Sequence, residues 1–459
     1  MALPFSSENA RNAFKLLLFL GLSTYFIFVA LPNHYPNSKF FSLRAPVPEP
    51  PTNLNHVIFG LLGSENAWHD RQHYTQSWWR PNVTRGVLYL DKAPTGDLVP
   101  WSPASPPYRV SDDLTKLLQE TGAGYPIMIR MVHGIMEVVR EMGDANVRWV
   151  VMGDDDSVFF VDNMIDALGE LDHRKYYYVG GQSEFVMSNY WFSFNQGFGG
   201  AGFMLSYPLA KALANDMESC LRRYAQLNSA DTITMTCIAD IGVNLSPHKG
   251  IHQIDLHGDL SGFLSSHPKS PLLSLHHLHT VEPIFPGMDR FQSTRHLMKA
   301  AAADQSRMLQ QTICHHRQSK WSLSVSWGYS AHIYEQIMPR SHLQKPLETF
   351  QPWSGMPLSP PLYMFDTRLP SNDSCLVPHI FYFKKVDKVS KGILTTYSRV
   401  APRGIPPCFL TADLVSEIRV LSPATKRKEM DRCECCDVVG VGEYVELKLR
   451  ECMVNEVIA

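Results

Sequence analysis

The stretch RWVVMGDDDSVFF, Arg148 to Phe160, sets three consecutive carboxylates directly after an apolar run. Adjacent like charges repel, and a carboxylate beside apolar surface is costly unless it is paired. Val147 to Met152 reads as a buried strand. Asp154, Asp155 and Asp156 then occupy the loop into which that strand empties. In open α/β sheets, ligands bind beyond the carboxyl ends of strands. No lysine or arginine lies between Gly153 and Asp172 to balance the charge. A divalent cation would relieve the repulsion and use the oxygens as hard ligands. The competing reading is a helix start, with Asp at cap positions near the positive dipole end. One aspartate suffices for a cap; three after an apolar strand are harder to explain that way.

The flanking sequence continues the alternation. His56 to Gly63 and Val83 to Leu90 read as strands, with a polar-aromatic helix His69 to Arg80 between them and a stop at Pro81. Pro100 to Pro107 reads as a loop. Ile127 to Met142 carries apolar residues at helical spacing, Val161 to Leu171 is helical, and Tyr176 to Val179 is a strand. Strand, helix, strand in repetition predicts an α/β domain with a largely parallel sheet. Further on, WSLSVSWGYSAHIY, Trp321 to Tyr334, alternates like a strand, and the Pro-rich links at 352–361 suggest a separate β-rich module.

The chain has 459 residues, 44% of them apolar, and a formal net charge of −2. There is no basic excess to suggest a nucleic-acid partner. Ala13 to Leu31 is almost wholly apolar and about long enough to cross a bilayer. Arg11 and Lys15 place the short tail before it on the cytoplasmic side. This predicts a single-pass type II signal anchor; a cleaved signal peptide is the competing reading. The expected organisation is a cytoplasmic tail at 1–12, an anchor at 13–31, a Pro/Ser-rich stem at 32–55, a catalytic domain at 56–300 and an accessory region at 301–459. If the body is lumenal, Asn82 and Asn372 head glycosylation sequons, with Asn244 a weaker third before Pro247. Nine cysteines in an oxidising compartment predict several disulfides and one leftover thiol, mostly stapling the region after residue 370. Cys433, Cys435, Cys436 and Cys452 could alternatively bind zinc, though without two separated Cys-x-x-Cys pairs.

Mg²⁺ or Mn²⁺ held by few carboxylates typically coordinates substrate phosphates as well. No Walker loop and no Gly-x-Gly-x-x-Gly after a strand is present, which weakens NTPase and dinucleotide readings. A metal that clamps a diphosphate makes it a better leaving group. That is the requirement of a nucleotide-sugar glycosyltransferase.

At this point the ordered motifs resemble those of the fringe-like β-1,3-glycosyltransferases, in particular the plant fringe-related family catalogued as a domain of unknown function. The matching pieces are HDRQHYTQSWWRPNVTRGVLYLD, PPYRVSDD, NVRWVVMGDDDSVFFVDNM, YYYVGGQSE, GGAGFMLSYPLAKAL, HQIDLHGDLSGFLSSHP, LLSLHHLHTVEPIFPG, WSLSVSWGYSAHIY and CECCDV, across roughly residues 56 to 440. The resemblance implies a GT-A fold, a UDP-sugar donor, a Mn²⁺-type cation (or Mg²⁺) and inversion at the anomeric carbon.

It also implies residue roles. Asp154, Asp155 and Asp156 match the acidic triplet, with Asp156 the direct metal ligand and Asp154 nearer the ribose or sugar. His277 matches the histidine that completes the metal site. If its segment is extended, His276 and His277 point to opposite faces, so one of them reaches the metal; a histidine simply packed in a His-rich stretch is the alternative. Gly199, Gly200, Ala201 and Gly202 match a small-residue turn through which backbone approaches the sugar. Asp231 matches the second acid of a pair whose first is replaced by Ala230, and is the candidate base for the acceptor hydroxyl; its alternative role is a helix N-cap. Trp191, Phe192 and Phe194 are candidates either for a sugar floor or for core packing. Arg71 faces the diphosphate or solvent, and Asp255, His257 and Asp259 lie near the donor or serve structure.

The expected activity is therefore metal-dependent, inverting transfer of a hexose or N-acetylhexosamine from a UDP-sugar to a glycan or glycoconjugate hydroxyl, with β-1,3 linkage expected, in the Golgi membrane. The alternative is a non-catalytic carbohydrate-binding or scaffolding protein on the same fold. A disulfide-rich wall or matrix protein fits the cysteines but not the triplet or the glycine turn.

Overall fold

The computed structural model describes residues 12, 15–24, 49–354, 361–408, 410–427 and 432–458. Residues 52–459 form one compact unit. The expected anchor at 13–31 falls largely outside the described residues. Its described part, 15–24, is helical, and among the described residues no helix is long and apolar enough to cross a membrane. The expected stem at 32–55 is likewise described only from residue 49.

Among the described residues, the N-terminal half builds a mixed sheet of seven strands. They are β1 (Val57–Leu62), β2 (Gly86–Leu90), β3 (Tyr108–Val110), β4 (Trp149–Asp154), β6 (Tyr178–Gly180), β7 (Phe203–Ser206) and β8 (Leu245–Pro247). A short β5 (Val158–Phe159) leaves the sheet after β4. The spatial order is β3-β2-β1-β4-β7-β6-β8. The strands are parallel except β7, which runs antiparallel to both β4 and β6. β1, β2, β6 and β7 are wholly buried, so they carry continuous apolar runs rather than alternation.

Helices cover both faces. α1 (Glu65–Trp78) starts four residues before its predicted position, because Ser64 caps it by accepting from the Ala67 N–H. α2 (Thr115–Thr121) is short. α3 (Pro126–Met142) opens with proline at its first turn and buries Ile129, Val132, Ile135 and Val138. That spacing is one helical face, and each side chain contributes roughly 1.5–3 kcal/mol on burial. α4 (Val161–Gly169), α5 (Val186–Trp191), α6 (Tyr207–Tyr224) and α7 (Ala230–Asp240) follow. The Cys220–Cys237 disulfide ties α6 to α7.

A second small sheet, β5-β11-β9, joins β9 (Ile251–His252) to β11 (Ser274–Leu275) in parallel and β11 to β5 antiparallel. β10 (Leu256–Gly258) and α8 (Ser261–Ser266) lie between β9 and β11 in the chain. The expected boundary near residue 300 falls at the end of α9 (Arg290–Ala301), and strand pairing crosses it. β15 (Phe350–Pro352) pairs antiparallel with β10, and Phe185 bridges to Tyr363.

The C-terminal region is an eight-stranded sheet of β12 (Gln311–His316), β13 (Trp321–Ser326), β14 (Ser330–Tyr334), β16 (His379–Val389), β17 (Gly392–Arg399), β18 (Glu417–Ser422), β19 (Cys435–Val441) and β20 (Tyr444–Arg450), with the short helix α10 (Arg340–Leu343) beside it. The predicted single strand Trp321 to Tyr334 is a hairpin instead: Gly328 turns the chain at φ +77°. Cys314–Cys436, Cys375–Cys408 and Cys435–Cys452 staple this region, leaving Cys433 without a partner cysteine. Neighbouring strand residues point to opposite faces, so Cys435 and Cys436 serve two different bridges. Those bridges consume the thiols that the zinc alternative needs.

Candidate active site

The acidic triplet sits at the mouth of β4. Asp154 is the last residue of that strand, paired in register with Leu62. The Asp155 N–H donates to Leu62 O at 3.0 Å, and the Ser157 N–H closes a turn onto Asp154 O at 3.2 Å. The turn is clamped from α1: the Thr75 hydroxyl donates to Asp155 O at 2.7 Å and Trp78 Nε1 to Ser157 O at 2.8 Å. The next helix begins at Val161 with no side-chain cap, so none of the three aspartates caps it. Asp155 and Asp156 are buried, at 1% and 0% exposure. Burial on this scale demands partners.

Asp155 and Asp156 meet Arg71 on α1, which donates to Asp155 Oδ1 at 2.9 Å and to Asp156 Oδ1 at 3.4 Å. Arg71 therefore faces the triplet itself. Its second nitrogen lies 3.1 Å from His279 Nε2. The imidazole that reaches Asp154 and Asp156 is that of His276: its Nε2 is 3.3 Å from Asp156 Oδ1 and 3.9 Å from Asp154 Oδ2. His277, the expected ligand, is placed otherwise. Its Nδ1 lies 3.1 Å from Asp255 Oδ1 and its ring stacks on Trp353 at 4.5 Å. His276 and His277 do not alternate as in an extended segment, because β11 ends at Leu275 and His277 takes a left-handed φ of +60°. The two rings lie side by side, 3.8 Å apart, rather than on opposite faces. His279 returns to the cluster, with Nδ1 2.5 Å from Asp156 Oδ2.

Asp154, Asp156 and His276 each offer a ligand atom, all within 4.8 Å of one another. Asp156 Oδ2 is buried, with His279 Nδ1 as its near neighbour. The electrostatics separate the three carboxyls. Burial, outweighing His276 and reinforced by Asp156 and Asp155, pushes Asp154 up to about 7. Burial and the Asp156 charge also raise Asp155. Asp156 is held well below the usual range: burial opposes ionisation, but His276, His279 and Arg71 together outweigh it. In return, Asp156 and Asp154 raise His276 against its own burial. His277 goes the other way, pushed down to about 4 by burial and by His276.

The glycine turn Gly199–Gly202 wraps these groups. A Cβ on Gly200 would lie 2.1 Å from His276 Cε1, and one on Gly199 would lie 2.5 Å from Asp231 Oδ1. The absent side chains thus make room for His276 and Asp231. Ser157 accepts from the Asp154 N–H at 2.8 Å and donates to Gly200 O at 2.6 Å, joining the turn to the triplet. Gln253 and Ser274 hold Ala201 from its two sides through hydrogen bonds of 2.9 and 2.5 Å. Gly202 has φ +85° and packs its backbone on Phe159.

Asp231 stands in the first turn of α7. The cap is Ser229, which accepts from the Thr232 N–H, so Asp231 is not the N-cap. Asp231 lines one cavity of about 20 Å³ together with Asp154, Gly153 and Gly199. Burial pushes its carboxyl up to about 6, against the Gly199 N–H bond that holds it down. Ala230 is buried in the apolar cluster of α3, α6 and α7.

Around this centre, Asp255 accepts from the Ser183 hydroxyl at 2.6 Å and faces His277. His257 stacks on Trp353 at 4.5 Å, and Asp259 accepts from the Ser261 N–H at 2.8 Å at the start of α8. Trp353, which stacks on both His257 and His277, comes from the far C-terminal half. Trp191, Phe192 and Phe194 are exposed at 44%, 41% and 45%, beside Tyr190 at 70%. They are not core residues. Sequence reasoning missed His279 and the pairing of Arg71; the LHHLH string and the Arg71 position were the available signals.

No curated protein matches the chain in sequence. Among solved structures, core-mannan synthase A from Aspergillus fumigatus, in its Mn/GDP form, is similar over 42% of this chain and 73% of that chain, at 10% identity and a TM-score of 0.27. The family model described as "Protein of unknown function, DUF604" matches residues 188–436, a span that takes in the glycine turn, Asp231 and all three histidines of the cluster. That span is more than half of the chain, and the protein belongs to the DUF604 family.

Proposed function

We propose that this protein is a metal-dependent, inverting glycosyltransferase of GT-A type, moving a hexose or N-acetylhexosamine from a UDP-sugar to a hydroxyl of a glycan, with β-1,3 linkage. The observation that carries the reading is the convergence of Asp154, Asp156 and His276 on one point, with Asp231 lining a cavity shared with Asp154. The motif resemblance supports the donor, linkage and stereochemistry.

The residues present fit a Mn²⁺ or Mg²⁺ ion. Asp156 is buried and held in its charged form, and ligand atoms of Asp154 and His276 lie near it. Bound between Asp154, Asp156 and His276, the ion would offset the charge of a departing nucleoside diphosphate. The chain's own groups do the rest. Arg71 on α1 pairs with Asp155 and Asp156, and His279 lies 2.5 Å from Asp156 Oδ2, which together fix the orientation of the two carboxylates. Asp231 accepts the proton of the acceptor hydroxyl as its oxygen attacks the anomeric carbon. A carboxyl poised near 6 is ionised at neutral pH yet basic enough for that task. The exposed rings of Tyr190, Trp191, Phe192 and Phe194 present apolar faces suited to an acceptor sugar. We place the protein in the Golgi membrane as a type II single-pass protein, on the apolar segment 13–31 of the sequence.

The test is UDP-sugar hydrolysis and transfer by the purified protein with Mn²⁺ across a donor panel. Turnover with one donor, lost in Asp156→Asn, supports the reading. Glycan binding that needs neither nucleotide nor metal, with no turnover on any donor, would establish the binding-protein alternative instead.

A further inference from the structure

A second group of ligating side chains lies outside this centre. Glu184, on the loop between β6 and α5, His252 at the end of β9, and His267 just past α8 bring three ligand atoms within 4.8 Å of one another. They line a cavity of about 250 Å³ that also presents Gln182, Lys249 and Lys269.

The local hydrogen bonds prepare His252 for a cation. The residue is 3% exposed. Its Nδ1 donates to Glu184 Oε1 at 2.7 Å, and Glu184 Oε2 accepts from the Ile254 N–H at 2.7 Å. A carboxylate on one ring nitrogen fixes the tautomer and leaves the lone pair on the other, the arrangement that metal-binding histidines show. That other atom, Nε2, is buried and has no hydrogen-bond partner. His267 is fixed by stacking on Phe263 at 4.7 Å and packing on Phe365 at 4.1 Å, and its ring centre is 5.5 Å from that of His252. An orphaned imidazole nitrogen in the interior costs free energy unless a donor or a metal satisfies it.

We propose that His252 Nε2 and the imidazole of His267 hold a second cation, of the zinc class, with Glu184 as the outer partner that orients His252. Two imidazole ligands favour zinc over the hard cations that the acidic triplet suits. The remaining coordination positions open on the cavity, where water or a small anion drawn by Lys249 and Lys269 completes the shell. The site braces the first one. His252 O accepts from the His276 N–H at 3.1 Å across the β9–β11 pair, so a cation on His252 stiffens the strand that delivers His276.

The experiment uses the full chain carrying Asp156→Asn, which disables the acidic site, dialysed against Zn²⁺ and then buffer. Metal retained is read by mass spectrometry, and Co²⁺ loading by visible absorption. The expected result is close to one retained zinc per chain and a Co²⁺ spectrum of a low-coordinate nitrogen site. Both disappear on adding either His252→Gln or His267→Gln, with circular dichroism unchanged. His267→Gln lies outside the buried Glu184 hydrogen bonds and serves where His252→Gln fails to fold. No zinc retained by the Asp156→Asn protein, or zinc kept after His267→Gln, overturns the proposal. Neither outcome depends on glycosyltransferase activity.

Discussion

Replacing Gly200 by alanine puts the packing of the candidate site under direct strain. The added Cβ would lie 2.1 Å from His276 Cε1 and 2.5 Å from both ring nitrogens. Regaining an ordinary carbon contact of about 3.5 Å requires a relative movement of about 1.4 Å. The turn cannot easily supply it, because Ser157, Gln253 and Ser274 hold Gly200 and Ala201 in place. The His276 ring must move instead, and its 3.3 Å approach to Asp156 opens. A displacement near 1 Å of a catalytic or ligating group costs roughly 100-fold, or about 2.7 kcal/mol. The assay is calorimetry of UDP binding in the presence of Mn²⁺, with a thermal melt as control. Gly200→Ala is expected to weaken metal-dependent UDP binding by about two decades while melting cooperatively. Wild-type affinity in a variant that melts as wild type would refute the claim that the turn's missing side chain makes room for a functional imidazole.

Asp231→Asn is expected to lower turnover by roughly 100- to 10,000-fold with nucleotide binding intact. In the unaltered protein, turnover falls as pH drops through about 6, where Asp231 becomes protonated and cannot take a proton; a flat profile from pH 5 to pH 7 would remove Asp231 as the base. Trp191→Ala is expected to raise the acceptor KM with little change in donor KM, measured by varying each substrate, because the ring is exposed and touches no ligand of the acidic cluster. Stability has its own pH lever at Glu335, whose carboxylate accepts from the Cys408 and Ala412 N–H groups and from Arg403, and pairs with His379. Burial opposes ionisation there, but these donors outweigh it and hold the group at about 2. Its contribution is present above the ordinary carboxylate value and fades as pH falls through about 4.5 toward 2, so the Tm gap between wild type and Glu335→Gln narrows on acidification. A gap independent of pH would contradict that assignment.

The strands, the triplet's place at a strand end and the need for disulfides were readable because each depends on local pattern. A buried strand is a continuous apolar run, and three carboxylates after it have no structural purpose of their own. What was not readable depended on contacts across the chain. The choice between His276 and His277 turns on one left-handed residue just past a two-residue strand, which no alternation rule sees. Arg71 joins Asp155 from 84 positions away. The reversal of β7 within an otherwise parallel sheet follows from its pairing between β4 and β6, not from its own FMLS sequence. Cysteine pairing was beyond reach for the same reason: the sequence shows nine thiols, and only the fold selects Cys314 for Cys436 over its neighbour Cys435. The hairpin at Gly328 does carry a local signal, a glycine between two alternating runs.

The central claim is that a cation is gripped between Asp154, Asp156 and the imidazole of His276. Pulsed electron paramagnetic resonance of Mn²⁺ bound with UDP reports ligating nitrogen directly. The account predicts nitrogen coupling from one imidazole, lost in His276→Ala and kept in His277→Ala. Bound Mn²⁺ with no nitrogen coupling, or coupling lost only in His277→Ala, would contradict it.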